Sequence, residues 1–348
     1  METTRNSGRL TRSEVNDPYV IERVVYVLGA GASYDAGGPL TRDFFARNRR
    51  YDERIYKRCF YGNKKYEAIA SVYDEWKLQH KDPDIEKFFS EVASRDVYGD
   101  FFVPVTGETI PPSKVRDWLV WYMSTYVHGS CSAQRNPPRY YHDFIRLLKR
   151  RGHPGSIITF NYDLVFDKLI LDRYNAIDYG LPRANVYVKP RSLDIWSGIR
   201  VLKLHGSLNW TRCDTCERID VTLKSKAHHE RRKGCTSGCM GYRNPVIVPP
   251  VRDKERFLGS ANPIWRKALE ELEEADKTVL IGYSLPEADS AARALLTQAL
   301  VRDNSDCELV IVNSHPDALR TIERRLGRQS SLPNATPFKD FVLAQTSQ

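Results

Sequence analysis

Short apolar runs that stop on small or polar residues recur along this chain, with amphipathic stretches between them. Val24-Val25-Tyr26-Val27-Leu28 is apolar and β-prone, and it stops at Gly29-Ala30-Gly31-Ala32-Ser33. Four later runs repeat the pattern. Residues 156–160 open into Asn161-Tyr162-Asp163, 199–204 into His205-Gly206-Ser207, 278–281 into Gly282-Tyr283-Ser284, and 308–312 into Asn313. A further short strand is expected at 246–248. Helical spacing is read over 141–151, where Phe144, Ile145, Leu147 and Leu148 share a face and Gly152 provides the stop. It is read again over 265–275, 288–300 and 316–326. Strand and helix in alternation predict an α/β fold: a Rossmann-like, doubly wound parallel sheet. In such sheets the ligand crevice lies outside the carboxyl ends of the strands, and here those ends carry the small and polar residues.

Residues 40–150 have a different texture. They are rich in Tyr, Phe, Lys, Arg and Glu, with helical periodicity and little strand signal. Ile85, Phe88, Phe89 and Val92 form one stripe, and Trp118, Trp121, Tyr122 and Tyr126 form another. The expected organisation is an arm over 1–18, a Rossmann-like domain made of 19–45, 150–210 and 244–330, a helical insertion over 46–149, a cysteine-bearing module over 211–243 and a tail over 331–348.

The cysteines add a second feature. Cys213-x2-Cys216 and Cys235-x3-Cys239 have the pairing of a four-cysteine zinc ribbon, and four protein thiolates make a closed, structural Zn²⁺ site. Arg212, Arg231, Arg232 and Lys233 would offset its negative charge, and His228 or His229 is an alternative ligand. Cys59, Cys131 and Cys307 have no partner pattern and suit ordinary packing.

Composition narrows the class. The 348 residues carry 53 basic and 44 acidic side chains, a formal charge of +9, with the signs interspersed. Basic runs at 146–151 and 224–233 leave nucleic acid open as a partner, but no nucleic-acid-binding signature accompanies them. No apolar run approaches the ~20 residues that cross a bilayer. The polar first 18 residues lack an export signal, so a cytoplasmic location and reduced thiols are expected.

Each polar tip also suits an ordinary structural use. Gly29-Ala30-Gly31 can cradle a phosphate or simply end a core strand. Asn161 and Asp163 can cap a helix, and His205 can be a hydrogen-bonded core residue. Taken in order, however, the motifs resemble those of the sirtuin family. Gly29-Ala30-Gly31-Ala32-Ser33 looks like that family's phosphate-binding turn, and Gly37, Pro39 and Arg42 fall at the spacing of its Gly-x-Pro-Asp-Phe-Arg element. Thr159-Phe160-Asn161-Tyr162-Asp163 is similar to its Thr-Gln-Asn-Ile-Asp motif, and Leu204-His205-Gly206 to its catalytic His-Gly, with the zinc ribbon following. Gly282-x-Ser284 and Asn313 resemble its late motifs for the NAD phosphates and adenosine ribose. The resemblance covers roughly residues 20 to 330 apart from the insertion.

The departures matter as much. Leu40 and Thr41 replace the Asp-Phe of the family element, and Val246-Ile247-Val248-Pro249-Pro250 stands where deacylases line an acyl-lysine channel. The Gly-Ala-Gly-Ala-Ser-Tyr-x-Ala-Gly-x-Pro start at Gly29, Asn161-Tyr162-Asp163 and Ile247-Val248-Pro249-Pro250 look instead like the sirtuin-like branch of bacterial anti-phage systems, whose members typically hydrolyse NAD⁺. The resemblance implies Asn161, His205 and Asp163 as catalytic residues, with Asp163 on the nicotinamide carboxamide. It implies Gly29, Ala30, Gly31, Ser33 and Arg42 on the diphosphate, and Gly282, Ser284 and Asn313 on the phosphate and adenosine ribose. NAD⁺ is then the substrate and Zn²⁺ the structural metal. Protein-lysine deacylation and non-catalytic NAD or ADP-ribose sensing are the alternatives. An NAD⁺ hydrolase must be gated to spare its host, which implies a regulatory protein partner or homo-oligomer, with no membrane. Gly31 replaced by a bulky residue is expected to lose NAD binding before stability.

Overall fold

The computed structural model describes residues 22–46, 52–81, 84–95, 99–134, 136–149, 155–181, 186–188, 199–222, 234–235, 237–248, 262–287, 289–301 and 306–347. The expectations placed on 1–18, Gly152, His228, His229, Arg231, Arg232, Lys233, Pro249 and Pro250 lie outside those residues.

Six parallel strands form the frame. They are β1 (Val24–Leu28), β4 (Ser156–Thr159), β5 (Ala176–Asp178), β7 (Ile199–Lys203), β11 (Lys277–Ile281) and β12 (Glu308–Val312). The order across the sheet is β12-β11-β1-β4-β7-β5, and β6 (Val186–Val188) adds an antiparallel edge beside β5. Chain order runs outward from β1 through β11 and β12 on one side and through β4 and β7 on the other, with β5, earlier in the chain, placed outside β7; this is the doubly wound arrangement that the alternating pattern predicts. The registers are in step: Leu28 lies opposite both Ile281 and Thr159, Thr159 opposite Lys203, and Ile281 opposite Val312. The residues just past each strand therefore line up along one sheet edge.

The strands are apolar because both faces are covered. Helices α5 (Arg139–Leu147), α6 (Val165–Tyr174), α7 (Asn262–Glu273), α8 (Ser290–Leu300) and α9 (Pro316–Leu326) close the core. The α9 boundaries match the sequence reading, with Pro316 at its start and left-handed Gly327 at its end. Residues 331–348, expected as a tail, carry helix α10 (Phe338–Thr346), which packs on α5 and buries Phe341 and Val342. Tyr140, Tyr141, Phe144 and Phe166 surround Phe338 in edge-on and tilted contacts.

The insertion has a core of its own. Helices α1 (Asp52–Cys59), α2 (Lys64–Leu78), α3 (Ile85–Ser94) and α4 (Pro112–Ala133) bury one expected stripe whole, Ile85, Phe88, Phe89 and Val92, and the other in part, Tyr122 and Tyr126. Trp118 and Trp121 pack against that core half-buried. A hairpin, β2 (Phe101–Val103) with β3 (Glu108–Ile110), was not expected, because three-residue strands are too short to show a period. Helix α5 buries Tyr141, Phe144 and Ile145 in the main core and not in that of the insertion.

The third unit is a three-stranded antiparallel sheet in the order β10-β8-β9. It comprises β8 (Gly206–Cys213), β9 (Ile219–Val221) and β10 (Arg243–Ile247). The strand expected at 246–248 therefore belongs here, paired with β8, and not to the parallel sheet. Among the described residues, no helix is long and apolar enough to cross a membrane.

Candidate functional site

The first strand ends at a crossing of two turns. Gly29 N–H donates to Ile281 O, and Gly31 N–H donates to Gly282 O, both at 2.9 Å. A Cβ on Gly31 would lie 2.9 Å from Gly282 Cα, and one on Gly29 would lie 2.5 Å from Tyr283 Cα. These glycines are required where the β1 and β11 turns touch, at the point where the winding of the sheet reverses. This alters the expected role of the glycine turn. The Gly29 and Gly31 amides are spent inside the fold, so they are not donors in waiting for a diphosphate.

A cavity of about 620 Å³ opens above this crossing. Ala30, Gly31, Ser33, Arg42, Asn161, Asp163, His205, Gly282, Ser284 and Asn313 all line it. Gly29 does not; it lies below, as part of the crossing. The cavity thus brings together residues from five strand ends and from the segment after Gly37. Its size is within the range of small-molecule sites.

At its floor, three of the expected residues hold one another. Asn161 Nδ2 donates to Gly29 O at 2.8 Å and to Ser33 Oγ at 3.2 Å. Ser33 Oγ donates to Asp163 Oδ2 at 2.8 Å. Both amide hydrogens of Asn161 are therefore committed, and what it offers a ligand is its Oδ1 acceptor. Ser33 is 1% exposed and ties Asn161 to Asp163, so its hydroxyl is occupied and does not wait for a phosphate.

Asp163 also accepts from Val165 N at 3.0 Å, a turn two residues long that leads into α6, whose N-cap is Leu164. Burial pushes its carboxyl up from the usual range, while the Lys203 ammonium, the Val165 N–H and the Ser33 hydroxyl pull it down. Lys203 comes from β7, is 1% exposed, and donates to Asp163 O at 2.5 Å and Asp167 Oδ2 at 3.1 Å. Tyr179 donates to the other Asp167 oxygen at 2.7 Å. This buried ion pair fixes the 161–163 loop from beneath.

His205 stands at the end of β7 and is 6% exposed. Gly206 follows with φ +81, and a Cβ there would meet Val246 O at 2.1 Å. The left-handed glycine lets the chain turn at once from the parallel sheet into β8. Phe160, Tyr162 and Trp265 surround the imidazole at ring distances of 5.1–6.4 Å. Its Nε2 lies 3.4 Å from Asp289 Oδ2.

Several lining residues were not singled out in the sequence. Tyr283 donates to Asp289 Oδ2 at 2.8 Å, Tyr162 donates to Val248 O at 2.5 Å, and Tyr140 donates to Asp35 at 2.8 Å. Glu86 reaches the cavity from α3 of the insertion, with Met123 and Val127 from α4. Burial, then the nearby Asp289 and Glu86 carboxylates, hold the Tyr162 and Tyr283 phenols well above their usual range, so both remain donors. Asp289 lies within the expected 288–300 helix, and the one local signal it carries is that of an N-cap. The tyrosines and Glu86 carry no local signal that marks them as part of a cavity.

Toward the outer end, Arg42 and Ser284 are exposed on the rim. Asn313 Oδ1 accepts from His315 N at 3.0 Å. Pro337, Phe338 and Lys339 from the start of α10 complete that wall.

The four cysteines gather away from this cavity, at the end of the small sheet. Their Sγ atoms all lie within 4.8 Å of one another. Cys213 and Cys239 are 3.4 Å apart and Cys216 and Cys235 3.6 Å. A Zn²⁺ ion with bonds of about 2.3 Å needs sulfurs roughly 3.8 Å apart, so the set fits. Thr215 N donates to Cys213 Sγ and Ser237 N to Cys235 Sγ, each at 3.4 Å, as in metal-binding turns. The Ser237 hydroxyl draws the Cys216 thiol down to about 6.

No protein-family model matches this chain, and no curated protein matches it. Among solved structures it is similar to a Sir2 homolog–NAD complex, at 15% identity and a TM-score of 0.42, covering 99% of this chain and 96% of the other. It is also similar to a Sir2–p53 peptide–NAD⁺ complex, at 14% identity and a TM-score of 0.43, with 97% of each chain covered. A mutant Sir2 homologue bound to 2′-O-acetyl ADP ribose gives 16% and 0.44, again with 97% of each chain covered. At these identities and TM-scores the likeness carries no assignment for this chain.

Proposed function

We propose that this protein is a sirtuin-like NAD⁺ hydrolase that cleaves the bond between nicotinamide and ribose, giving nicotinamide and ADP-ribose. One observation carries the reading: Asn161, Asp163 and His205, the residues that the ordered motifs mark as catalytic, line one cavity with Gly31, Gly282, Ser284 and Asn313. A chain that merely capped its strands has no need to gather all of them around 620 Å³.

The reaction asks for few groups. The C1′–N1 bond breaks, and its electron pair leaves with nicotinamide, discharging the pyridinium. A water oxygen bonds to C1′ and loses a proton. In this reading Asn161 accepts a ribose hydroxyl at Oδ1, held by its bonds to Gly29 and Ser33. Asp163, fixed by Ser33 and Lys203, faces the nicotinamide carboxamide. His205 takes the proton from water. Arg42 and Ser284 on the rim hold the diphosphate, and Asn313 the adenosine ribose. Zn²⁺, bound by Cys213, Cys216, Cys235 and Cys239, pins the small sheet and takes no part in the chemistry.

Water is favoured as acceptor over an acyl-lysine peptide by one contact. Tyr162 O–H donates to Val248 O, in the stretch that stands where deacylases line their peptide channel. Glu86, Met123 and Val127 of the insertion line the cavity together with Tyr162. We further propose cytoplasmic action in anti-phage defence through NAD⁺ depletion, gated by a protein partner or self-assembly.

The test is to incubate purified protein with NAD⁺ alone and with an acetyl-lysine peptide, and to follow nicotinamide and ADP-ribose. Release from NAD⁺ alone is expected, falling at least about a hundredfold in His205→Ala and Asn161→Ala, the lower range for a positioned proton acceptor. Peptide-dependent turnover would instead mean a deacylase. Binding of ADP-ribose with no turnover, even with candidate partners added, would mean a sensor. Full activity of the isolated chain would remove the gating proposal.

A further inference from the structure

Asp289 is a buried carboxylate that none of the sequence motifs singles out. It is 1% exposed and lines the cavity. It caps α8, where Ala292 N donates to Oδ1 at 3.4 Å. Its other oxygen does not face water: Oδ2 accepts from Tyr283 O–H at 2.8 Å and lies 3.4 Å from His205 Nε2. The turn that carries it is constrained. Gly282 has φ +60 and Leu285, fully buried, has φ +50, a left-handed conformation that costs a non-glycine residue free energy. Arg325 donates to Leu285 O and braces the turn from α9. A cap alone needs one oxygen and no such bracing. A carboxylate held against an imidazole with its second oxygen sets the tautomer and the charge of that ring.

We propose that Asp289 is the positioning residue for His205, holding the imidazole through Nε2 and stabilising it once it has taken a proton. The inference rests on the hydrolytic reading above. Asp289 favours the tautomer with hydrogen on Nε2, which leaves the lone pair on Nδ1 as the base. As the water oxygen bonds to C1′, its proton passes to His205. The imidazolium then faces Asp289 until the proton leaves to solvent. Tyr283 keeps the shared oxygen in place and, with its phenol held protonated, cannot compete for the proton. Among the described residues, Tyr162 from the β4–α6 loop and the apolar Phe160 and Trp265 pack around the ring, and Glu86 from α3, whose charge acts on both phenols, lines the cavity. Asp163 and Arg42 line the same cavity.

Asp289→Asn tests this, because asparagine caps a helix as well as aspartate and can still accept from Tyr283. The expected variant melts like the parent and binds ADP-ribose equally well. Its kcat falls at least about tenfold, part of what a positioned base contributes. With the neighbouring anion gone, the imidazolium is less stable, so His205 titrates at lower pH and the acidic limb of the rate profile moves down with it. Imidazole NMR reads the same titration without turnover. Asp289→Glu keeps the charge and should restore part of the rate with the acidic limb of the parent. Unchanged kcat and unchanged titration in a folded Asp289→Asn would overturn the proposal while leaving the hydrolase reading intact. A shifted titration in a protein that never cleaves NAD⁺ would do the reverse. If Asp289→Asn does not fold, Asp289→Ser, which keeps a helix cap without the charge, decides: an unchanged kcat and an unchanged His205 titration would sink the idea.

Discussion

At the scale of single residues, the glycine turn has a different job from the one its sequence suggests. A strand ending in Gly29-Ala30-Gly31 reads as a phosphate cradle because glycine amides are open to an anion. In the fold the amides of Gly29 and Gly31 are taken by Ile281 O and Gly282 O. The missing Cβ atoms serve the contact between two turns. Gly31→Val should therefore lose stability and ADP-ribose binding together, by roughly 1–3 kcal/mol of stability, the usual range for overpacking. A melting curve beside a binding titration checks it; binding lost with an unchanged melt would restore the phosphate-cradle role. Ser33 gives the same lesson. Its place in the motif was legible, but its partners, 128 and 130 residues away, were not.

At the scale of elements, periodicity did well where an element is long and one-sided. The stripes of α3 and α4 and the limits of α9 were readable because burial of one face imposes its period on the sequence. Short elements were not. The hairpin β2–β3 and the strand β9 are three residues per strand, too short to show a period, and the place of 246–248 in β10 depends on its pairing with β8, about 30 or more residues away. The small sheet sets one long, buried strand, β8, between two short ones, and its four cysteines lie at the end that β8 and β10 share. Metal analysis should find about one Zn²⁺ per chain, the stoichiometry of a closed four-thiolate site. Chelation or Cys216→Ser should loosen this sheet and lower the melting temperature, leaving the far edge at β12 protected in hydrogen exchange. A metal-free protein with the same melting temperature would show that the cysteines are only neighbours.

At the scale of the whole molecule, the cavity is a joint product. The parallel sheet supplies its floor, the insertion gives Glu86, Met123 and Val127, and α10 gives Pro337, Phe338 and Lys339. A ligand that spans it should tie these parts together. ADP-ribose at a hundredfold over its Kd should add about 2.7 kcal/mol to stability, read as a raised melting temperature and as slower exchange in both α3 and α10. Protection confined to the sheet edge would mean that the insertion and α10 are not part of the site. By itself the sequence determined the alternating strands and helices, the polar strand ends and the two cysteine pairs. These are local, because apolar period and residue type are imposed by burial and ligand chemistry within a few residues. Only the tertiary structure decided that Gly31 meets Gly282, that Ser33 joins Asn161 to Asp163, and that Asp289 faces His205. Each of those contacts is made by residues more than 80 positions apart, and no period or spacing along the chain encodes the crossing of two distant turns.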